Sequence, residues 1–190
     1  VADIDKRVRN KSFKILNSKK IIVKKGLLKN KVENFYYPYF FNRKQKLPFV
    51  TGKVAISKNN IIYSKSQKRI TNAYSDQFTH LLRYQNDCIM ISYKTLNKDN
   101  PRLNCRLKGM ENFSPKRIIL DNELNSNMNS YIFKSSNNKN TLIFYNKADK
   151  SKISKFKRKG IILIKSKIDR SNKFDIKKIL KKLYNFGCRN

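Results

Sequence analysis

Four short apolar runs, separated by amphipathic stretches, constrain the fold of this chain most strongly. The runs are residues 89–91, 117–120, 142–145 and 161–164. Continuous apolar runs of this length are typical of strands that are covered on both faces. Helical spacing of apolar residues over 176–184, and a helix-compatible basic stretch over 151–159, complete a strand–helix alternation. The pattern predicts an α/β protein with a mostly parallel sheet flanked by helices.

Other elements are predicted from shorter signals. Residues 20–24 and 49–56 are each expected to form a strand, because both combine β-branched or aromatic residues with polar flanks. Thr71 is expected to cap a helix that buries one face. The apolar positions that mark this face are Phe78, Leu81 and Leu82.

A dense aromatic cluster over residues 34–41 is interrupted by Pro38, which a helix interior does not tolerate. Aromatic rings among basic residues can stack on nucleic-acid bases. The same rings more often pack against a neighbouring domain, and we favour that interpretation.

The formal net charge of +33 predicts strong attraction to polyanions, so a basic RNA-binding protein of the ribosomal type is one hypothesis. It predicts tight polyanion binding with a steep dependence on salt. The lysines are nevertheless spread along the whole chain, together with abundant Asn and Ile. This pattern favours the composition of an AT-rich genome over a dedicated nucleic-acid surface.

The three cysteines, Cys88, Cys105 and Cys188, are widely separated and form no C-x-x-C pair. They indicate neither a disulfide framework nor a zinc site, and a reducing cytoplasm is the expected location. No run of 18 apolar residues and no leader is visible, so we expect no membrane partner. The chain starts on Val1 and stops just after a helix, and we interpret it as a fragment.

Several kinds of site are excluded by their motifs. The five glycines show neither G-x-G-x-x-G nor P-loop spacing, so a standard Rossmann or P-loop site is not expected. The only histidine, His80, lies within the helix predicted after Thr71, where such a residue is more often at the surface or in packing than in catalysis. The zinc-deaminase pattern H-x-E with P-C-x-x-C is also missing.

The segment after the first apolar run concentrates chemistry on one loop. It carries the Thr95 hydroxyl, the Asp99 carboxylate, a rigid Asn-Pro turn and the guanidinium groups of Arg102 and Arg106. Loops at strand ends are where α/β proteins hold nucleotides and phosphates.

Four motifs, in order, give this chain a family resemblance. They are Pro48-Phe49-Val50-Thr51-Gly52-Lys53-Val54-Ala55-Ile56-Ser57; Ile70-Thr71 followed by Leu82-Arg83; Thr95 to Arg106; and Pro115-Lys116-Arg117-Ile118-Ile119-Leu120-Asp121. Together they resemble the reductase domain of the bifunctional deaminase–reductases of riboflavin biosynthesis. The resemblance covers roughly residues 47–121, and a compatible helix pattern continues to the end of the chain.

The resemblance implies a fold like that of dihydrofolate reductase, incomplete at the C-terminus. It also implies NADPH as hydride donor and 5-amino-6-(5-phosphoribosylamino)uracil as substrate, whose opened ribose is reduced to a ribityl chain. Residues 47–190 would form this reductase domain. Residues 1–46 would be the tail of a deaminase domain plus linker, with zinc only in the missing part. The family also suggests a homodimer.

The resemblance assigns roles to individual residues. Lys53 is the one catalytic candidate, because an ammonium group can polarise the carbonyl or imine that accepts the hydride. No residue of this chain is assigned to a metal. Positions that match cofactor contacts are Ala55, Arg69, Thr95, Asp99 and Asn122. Positions that match substrate contacts are Gln67, Arg83, Leu103 and Arg106. Guanidinium groups suit a terminal phosphate, although Arg83 alone would be explained by the dipole at a helix end.

The chain departs from the family pattern at three places. Lys58-Asn59-Asn60 replaces Leu-Asp-Gly, Arg69 replaces a Trp that contacts the cofactor, and Asn122 stands where a Ser is common. The family's Val-Glu-Gly-Gly segment would begin just after Asn190. We therefore expect this fragment to bind NADPH poorly, and a reductase-like domain without activity is a third hypothesis.

Overall fold

The computed structural model describes residues 3–5, 7–62, 70–136 and 140–190. In this part of the chain, helices and strands alternate after a helical N-terminal region. The elements are α1 (Lys11–Ser18), α2 (Lys29–Phe35), α3 (Tyr37–Gln45), α4 (Ala73–Gln85), β1 (Cys88–Ser92), α5 (Tyr93–Asp99), β2 (Lys116–Leu120), α6 (Tyr131–Lys134), β3 (Thr141–Tyr145), α7 (Lys150–Arg158), β4 (Ile162–Lys165) and α8 (Ile176–Asn185).

The four strands form one parallel sheet in the order β1-β2-β3-β4. Met90 of β1 faces Ile118 of β2, which faces Leu142 of β3, and Leu142 in turn faces Ile162 of β4. All four apolar runs therefore became strands, which confirms the predicted α/β class. The parallel arrangement also brings the carboxyl ends of all four strands to one edge of the sheet.

Helices cover both faces of the sheet. Because side chains alternate along a strand, Ile119 of β2 packs on one face and Ile118 on the other. The first face contacts Leu96 of α5 and Phe156 of α7, together with α6. The second face contacts Ile179 of α8, with Leu183 and Cys188 in the same cluster. Burial on both faces explains why the strand sequences are continuously apolar.

Helix α4 begins at a different cap from the one predicted. Asn72, not Thr71, is the N-cap, and its side chain accepts a 3.0 Å hydrogen bond from the Ser75 N–H. The Thr71 hydroxyl instead contacts the Asp76 carboxylate at 3.4 Å. Phe78 was expected on the buried face but is 57% exposed. The face of α4 that packs against the rest of the chain carries His80 and Arg83 instead.

Two predicted strands are wrong. Residues 20–24 and 49–56 have no regular secondary structure. A strand needs a partner for its backbone, and Arg189–Asn190 lies between the second segment and β1. The Phe49 N–H donates to the Arg189 carbonyl at 2.7 Å, and the Cys88 N–H donates to the Asn190 carbonyl at 3.3 Å.

The aromatic cluster forms α3, with Pro38 in its first turn, where a missing N–H costs little. The rings of Tyr37 and Phe41 each meet Phe49 edge-on, with centroids 5.8 Å apart. Asn42 fixes the end of this helix by donating to the Leu47 and Arg189 carbonyls. Part of the cluster therefore packs within the chain itself.

Cys88 is half-buried against Cys188 below the sheet, and all three cysteines are free thiols. No helix in the described ranges is both long and apolar enough to cross a membrane.

Candidate functional site

A basic cleft of about 400 Å³ lies beside the segment that follows α5. We call it the arginine cleft. It is lined by Arg83, Asn100, Pro101, Arg102, Leu103, Arg106 and Tyr131. Three of the seven lining residues are arginines, so the cleft is built for an anionic ligand.

Arg83 reaches the cleft from the last turn of α4. One terminal nitrogen donates to the Asn104 carbonyl at 3.1 Å, whereas the buried Nε has no hydrogen-bond partner in the described residues. Burial lowers the pKa of Arg83, and the charge of Arg106 lowers it further. An unsatisfied, half-buried guanidinium next to a second one is a costly arrangement that an anion would relieve.

Arg106 reaches the cleft from the segment that follows α5. Its side chain donates to the Asn104 side-chain oxygen at 3.0 Å, and its backbone N–H donates to Nδ1 of His80 at 3.1 Å. Neither Arg83 nor Arg106 forms an ion pair with a carboxylate in the part of the chain that the structure describes. Their positive charges are therefore left uncompensated in the cleft.

The wall between them is formed by residues 100–103. Asn100 and Leu103 both have a left-handed backbone, with φ of 41° and 56°. Leu103 is only 5% exposed and belongs to the core beneath α5, so core packing holds this strained conformation. Arg102 lies over the Tyr131 ring, 4.9 Å from its centroid.

The segment with Thr95 and Asp99 was predicted as a loop, but its first part is helix α5. The Ser92 hydroxyl caps this helix by accepting from the Thr95 N–H, and the two hydroxyl oxygens are 3.1 Å apart. Both Thr95 and Asp99 are exposed. Asp99 directly precedes Asn100 of the arginine cleft, whereas Thr95 lies at the carboxyl end of β1.

Asn122 lies at the same edge of the sheet, after β2. Its backbone carbonyl accepts from the Asn146 and Lys147 N–H groups, which follow β3. Its side-chain oxygen is buried and has no hydrogen-bond partner within ranges 3–5, 7–62, 70–136 and 140–190. Asn122 therefore places a polar atom near the carboxyl ends of two strands. Parallel sheets bind ligands at this edge.

The structure does not bring every predicted site residue to the arginine cleft. Arg83, Leu103 and Arg106, predicted to contact substrate, line it together. Lys53 and Ala55 lie on the extended segment 49–56, where Lys53 is exposed and Ala55 half-buried, and neither lines the cleft. Gln67 and Arg69 fall outside the described residues.

Tyr131 and His80 contribute to the site in ways the sequence did not predict. Tyr131 follows β2 by ten residues and carries no motif, so only the fold brings it to Arg102. His80 was interpreted as a surface or packing residue. Its hydrogen bond to Arg106 depends on a contact between α4 and a residue 26 positions away. The described residues contain no group of three or more His, Cys, Asp or Glu side chains suited to a metal ion.

Known proteins provide an independent comparison. The profile of the family described as the RibD C-terminal domain matches residues 48–190. A riboflavin biosynthesis protein RibD of Actinobacillus pleuropneumoniae is 28% identical over 163 residues, covering 85% of this chain and 43% of that protein. A RibD of Chlamydia trachomatis is 26% identical over 190 residues, covering 98% of this chain and 50% of that protein. The chain thus spans about half the length of these relatives or less.

Solved structures share the fold. A deaminase/5-amino-6-(5-phosphoribosylamino)uracil reductase of Thermotoga maritima superposes with a TM-score of 0.76 at 22% identity, covering 100% of this chain and 50% of that one. A RibD of Acinetobacter baumannii gives a TM-score of 0.75 at 19% identity, covering 99% and 51% of the two chains. At these identities the likeness shows the fold.

Proposed function

The chain belongs to the family of the RibD C-terminal domain, and from this premise we propose that it is a reductase of riboflavin biosynthesis. The proposed substrate is 5-amino-6-(5-phosphoribosylamino)uracil, and the proposed product carries a ribitylamino side chain. NADPH, when bound, supplies the hydride. The observation that carries this proposal is the meeting of Arg83 and Arg106 in one cleft that lacks a carboxylate partner in the described residues.

The names of relatives support the reaction class. A 2,5-diamino-6-ribosylamino-4(3H)-pyrimidinone 5′-phosphate reductase of Debaryomyces hansenii is 38% identical over 78 residues, covering 39% of this chain and 32% of that protein. That substrate, like the one proposed here, is a pyrimidine joined to a ribose phosphate. A shared ribose phosphate requires a site for a terminal dianion, which a pair of guanidinium groups would supply.

The arginine cleft would bind the substrate phosphate. Arg83 is held by the Asn104 carbonyl with its Nε still unpaired, and Arg106 is held by the Asn104 side chain. Two guanidinium groups that are already oriented lose little side-chain freedom when they bind a phosphate. Leu103 would exclude water from the floor of the cleft. The phosphate would then position the distant ribose carbon for reduction.

The carboxyl edge of the sheet would bind the nicotinamide cofactor. The Asn122 side-chain oxygen is buried and has no partner in the part of the chain that the structure describes, so it would suit a donor group of a polar ligand at this edge. The Thr95 hydroxyl, next to Ser92, would donate or accept at the end of the neighbouring strand. Asp99 and Ala55 stay predicted cofactor contacts, as does Arg69.

The catalytic role of Lys53 also stays a prediction. Phe49, four residues earlier, is tied to the Arg189 carbonyl, which anchors the start of the segment that carries Lys53. An ammonium close to the oxygen or nitrogen that gains charge would stabilise the transition state. Gln67 stays a predicted substrate contact.

RNA binding is not supported as the function of this chain. The family match and the shared fold point to a reductase, and the lysines are spread over α7, α8 and the N-terminal region rather than forming one groove. The proposed partner is therefore a small molecule.

An assay of NADPH oxidation by the intact protein tests this proposal. The oxidation is measured as the loss of the near-ultraviolet absorbance of NADPH. We expect oxidation that depends on the pyrimidine substrate and that falls at least tenfold in kcat/KM for Arg106→Ala. Arg170→Ala, in an exposed turn, removes the same charge far from the cleft and should retain wild-type kinetics. No oxidation, or equal rates in the two variants, would overturn the assignment.

A further inference from the structure

His80 connects the two arginines of the arginine cleft. It lies three residues before Arg83 on α4, so both side chains project from the same face of the helix. This face packs against residues 104–106, the segment that ends in Arg106. The only histidine in the chain thus lies on α4 at the point where this helix contacts the segment that carries Arg106.

Several hydrogen bonds join α4 to this segment, and three of them have defined lengths. The Arg106 N–H donates to His80 Nδ1 at 3.1 Å, and the Cys105 thiol donates to the His80 carbonyl at 3.6 Å. The third bond runs from Arg83 to the Asn104 carbonyl at 3.1 Å. Only the first of these three bonds uses the His80 side chain. Replacing His80 would therefore leave the Arg106 N–H without this acceptor.

We propose that His80 is a positioning residue: its unprotonated Nδ1 holds the backbone of Arg106 so that the guanidinium groups of Arg106 and Arg83 face one phosphate. This inference rests on the proposed function, because the phosphate is that of the sugar-phosphate substrate. His80 itself does not contact the phosphate. It acts through Arg106, because its Nδ1 fixes the backbone nitrogen next to the Cα atom from which the Arg106 side chain branches.

The surroundings of His80 keep it in the form that this role needs. Burial lowers its pKa, and the charges of Arg106 and Arg83 lower it further, while a hydrogen bond with the Asn104 backbone acts in the opposite direction. No carboxylate of the described residues is among the groups that shift its pKa. Only a neutral imidazole can accept at Nδ1, because the protonated ring has donors on both nitrogens.

The expected effect follows from the strength of one hydrogen bond. A net hydrogen bond of ordinary strength corresponds to a change of about fivefold to tenfold in a binding constant. Since the phosphate lies away from the reacting carbon, the lost positioning should weaken substrate and transition state alike. We therefore expect a higher KM and an unchanged kcat.

Two amide variants separate acceptor position from packing. In His80→Asn the side-chain oxygen occupies the position of Nδ1, whereas in His80→Gln the amide extends to the position of Nε2. Calorimetry of ribose 5-phosphate binding to the intact protein should show Asn within about twofold of wild type and Gln weaker by about fivefold to tenfold. NADPH oxidation should show the same ranking in KM with equal kcat. His80→Leu, which removes the acceptor entirely, should behave like Gln if it folds.

Other outcomes overturn the inference. Equal binding by wild type and Gln would show that Nδ1 positions nothing. Equal losses in Asn and Gln would assign the effect to the packing of the ring. In both cases the proposed function would still be supported if Arg106→Ala abolishes the binding of ribose 5-phosphate. Absence of ribose 5-phosphate binding in the wild type would remove the anion site and this inference together.

Discussion

The buried carboxylate of Asp121 accepts two hydrogen bonds from Ser126, one from its N–H at 2.7 Å and one from its hydroxyl at 2.6 Å. A third comes from the Asn125 N–H at 2.9 Å. Asp121 is fully buried at the carboxyl end of β2. It therefore folds residues 122–126 into a fixed turn and places Asn122 at the edge of the sheet.

Replacing Asp121 by Asn should destabilise the protein. One oxygen becomes an NH₂ group that faces backbone donors, so at least one buried donor loses its acceptor. The free energy of unfolding should fall by about 2 kcal/mol, the cost of an unsatisfied buried group. Urea unfolding measured by circular dichroism gives this value.

Asp149→Asn is the matched control for that substitution. Asp149 precedes α7, is exposed and makes no capping hydrogen bond through its side chain. Its replacement should change the free energy of unfolding by less than about 0.5 kcal/mol. Equal effects at the two positions would show that the Asp121 hydrogen bonds contribute nothing specific.

Arg117→Lys should also destabilise the fold. Arg117 is 5% exposed, and its terminal nitrogens donate to the Ser135 hydroxyl at 2.7 Å, the Ser135 carbonyl at 3.1 Å and the Asn140 side chain at 2.7 Å. An ammonium cannot reproduce this planar set of donors. We expect a loss of about 1–3 kcal/mol in urea unfolding. Arg158→Lys, on an exposed turn of α7, should leave stability unchanged, and a loss as large as that of Arg117→Lys would contradict this account.

The sheet could be predicted from the sequence because its signal is local. Each of β1 to β4 is a continuous apolar run, and burial on both faces requires that pattern. Residues 49–56 have comparable β-propensity but form no strand, because pairing depends on a neighbour that local sequence does not reveal. Thr and Asn are both common N-cap residues, so the sequence does not distinguish Thr71 from Asn72. In the structure, Asn72 is the cap because its side chain accepts from the Ser75 N–H.

The site could be predicted in part. Arg83, Leu103 and Arg106 were identified through motifs, and the structure brings them into one cleft. Tyr131 was not, because it reaches Arg102 through the crossover from β2. The acceptor role of His80 was missed for a similar reason, since it needs the packing of α4 on a distant segment.

Asn122→Ala should weaken cofactor binding without affecting the arginine cleft. The substitution removes a buried oxygen that has no hydrogen-bond partner among the described residues, so no hydrogen bond of that oxygen within this part of the chain is lost. If that oxygen binds NADPH, the dissociation constant should rise about fivefold in fluorescence titration of the intact protein. Binding of ribose 5-phosphate should stay unchanged. Asn185→Ala, at the exposed end of α8, is the control, and unchanged NADPH affinity in Asn122→Ala would remove Asn122 from the cofactor site.

The pH dependence of stability should reveal the environment of His80. Its pKa in the folded protein lies below the ordinary value of 6.5, so below pH 6.5 the unfolded chain takes up a proton that the folded chain resists. The contribution of His80 to the free energy of unfolding is fully present above pH 6.5. It is lost as the pH falls through the pKa that His80 has in the folded protein.

Urea unfolding between pH 6.5 and 5.0 isolates this effect. The shifted carboxyls of Asp5 and Asp175 have pKa values below 3.8 and titrate below this range. Cys88 lowers the pKa of the Cys188 thiol to about 7, and because both proteins keep this pair its titration cancels when they are compared. Because the chain has no other histidine, wild type should lose stability across the range relative to His80→Asn. Parallel pH profiles for the two proteins would mean that His80 ionises in the folded state as freely as in the unfolded chain, which would contradict a neutral, half-buried His80 that accepts from the Arg106 N–H.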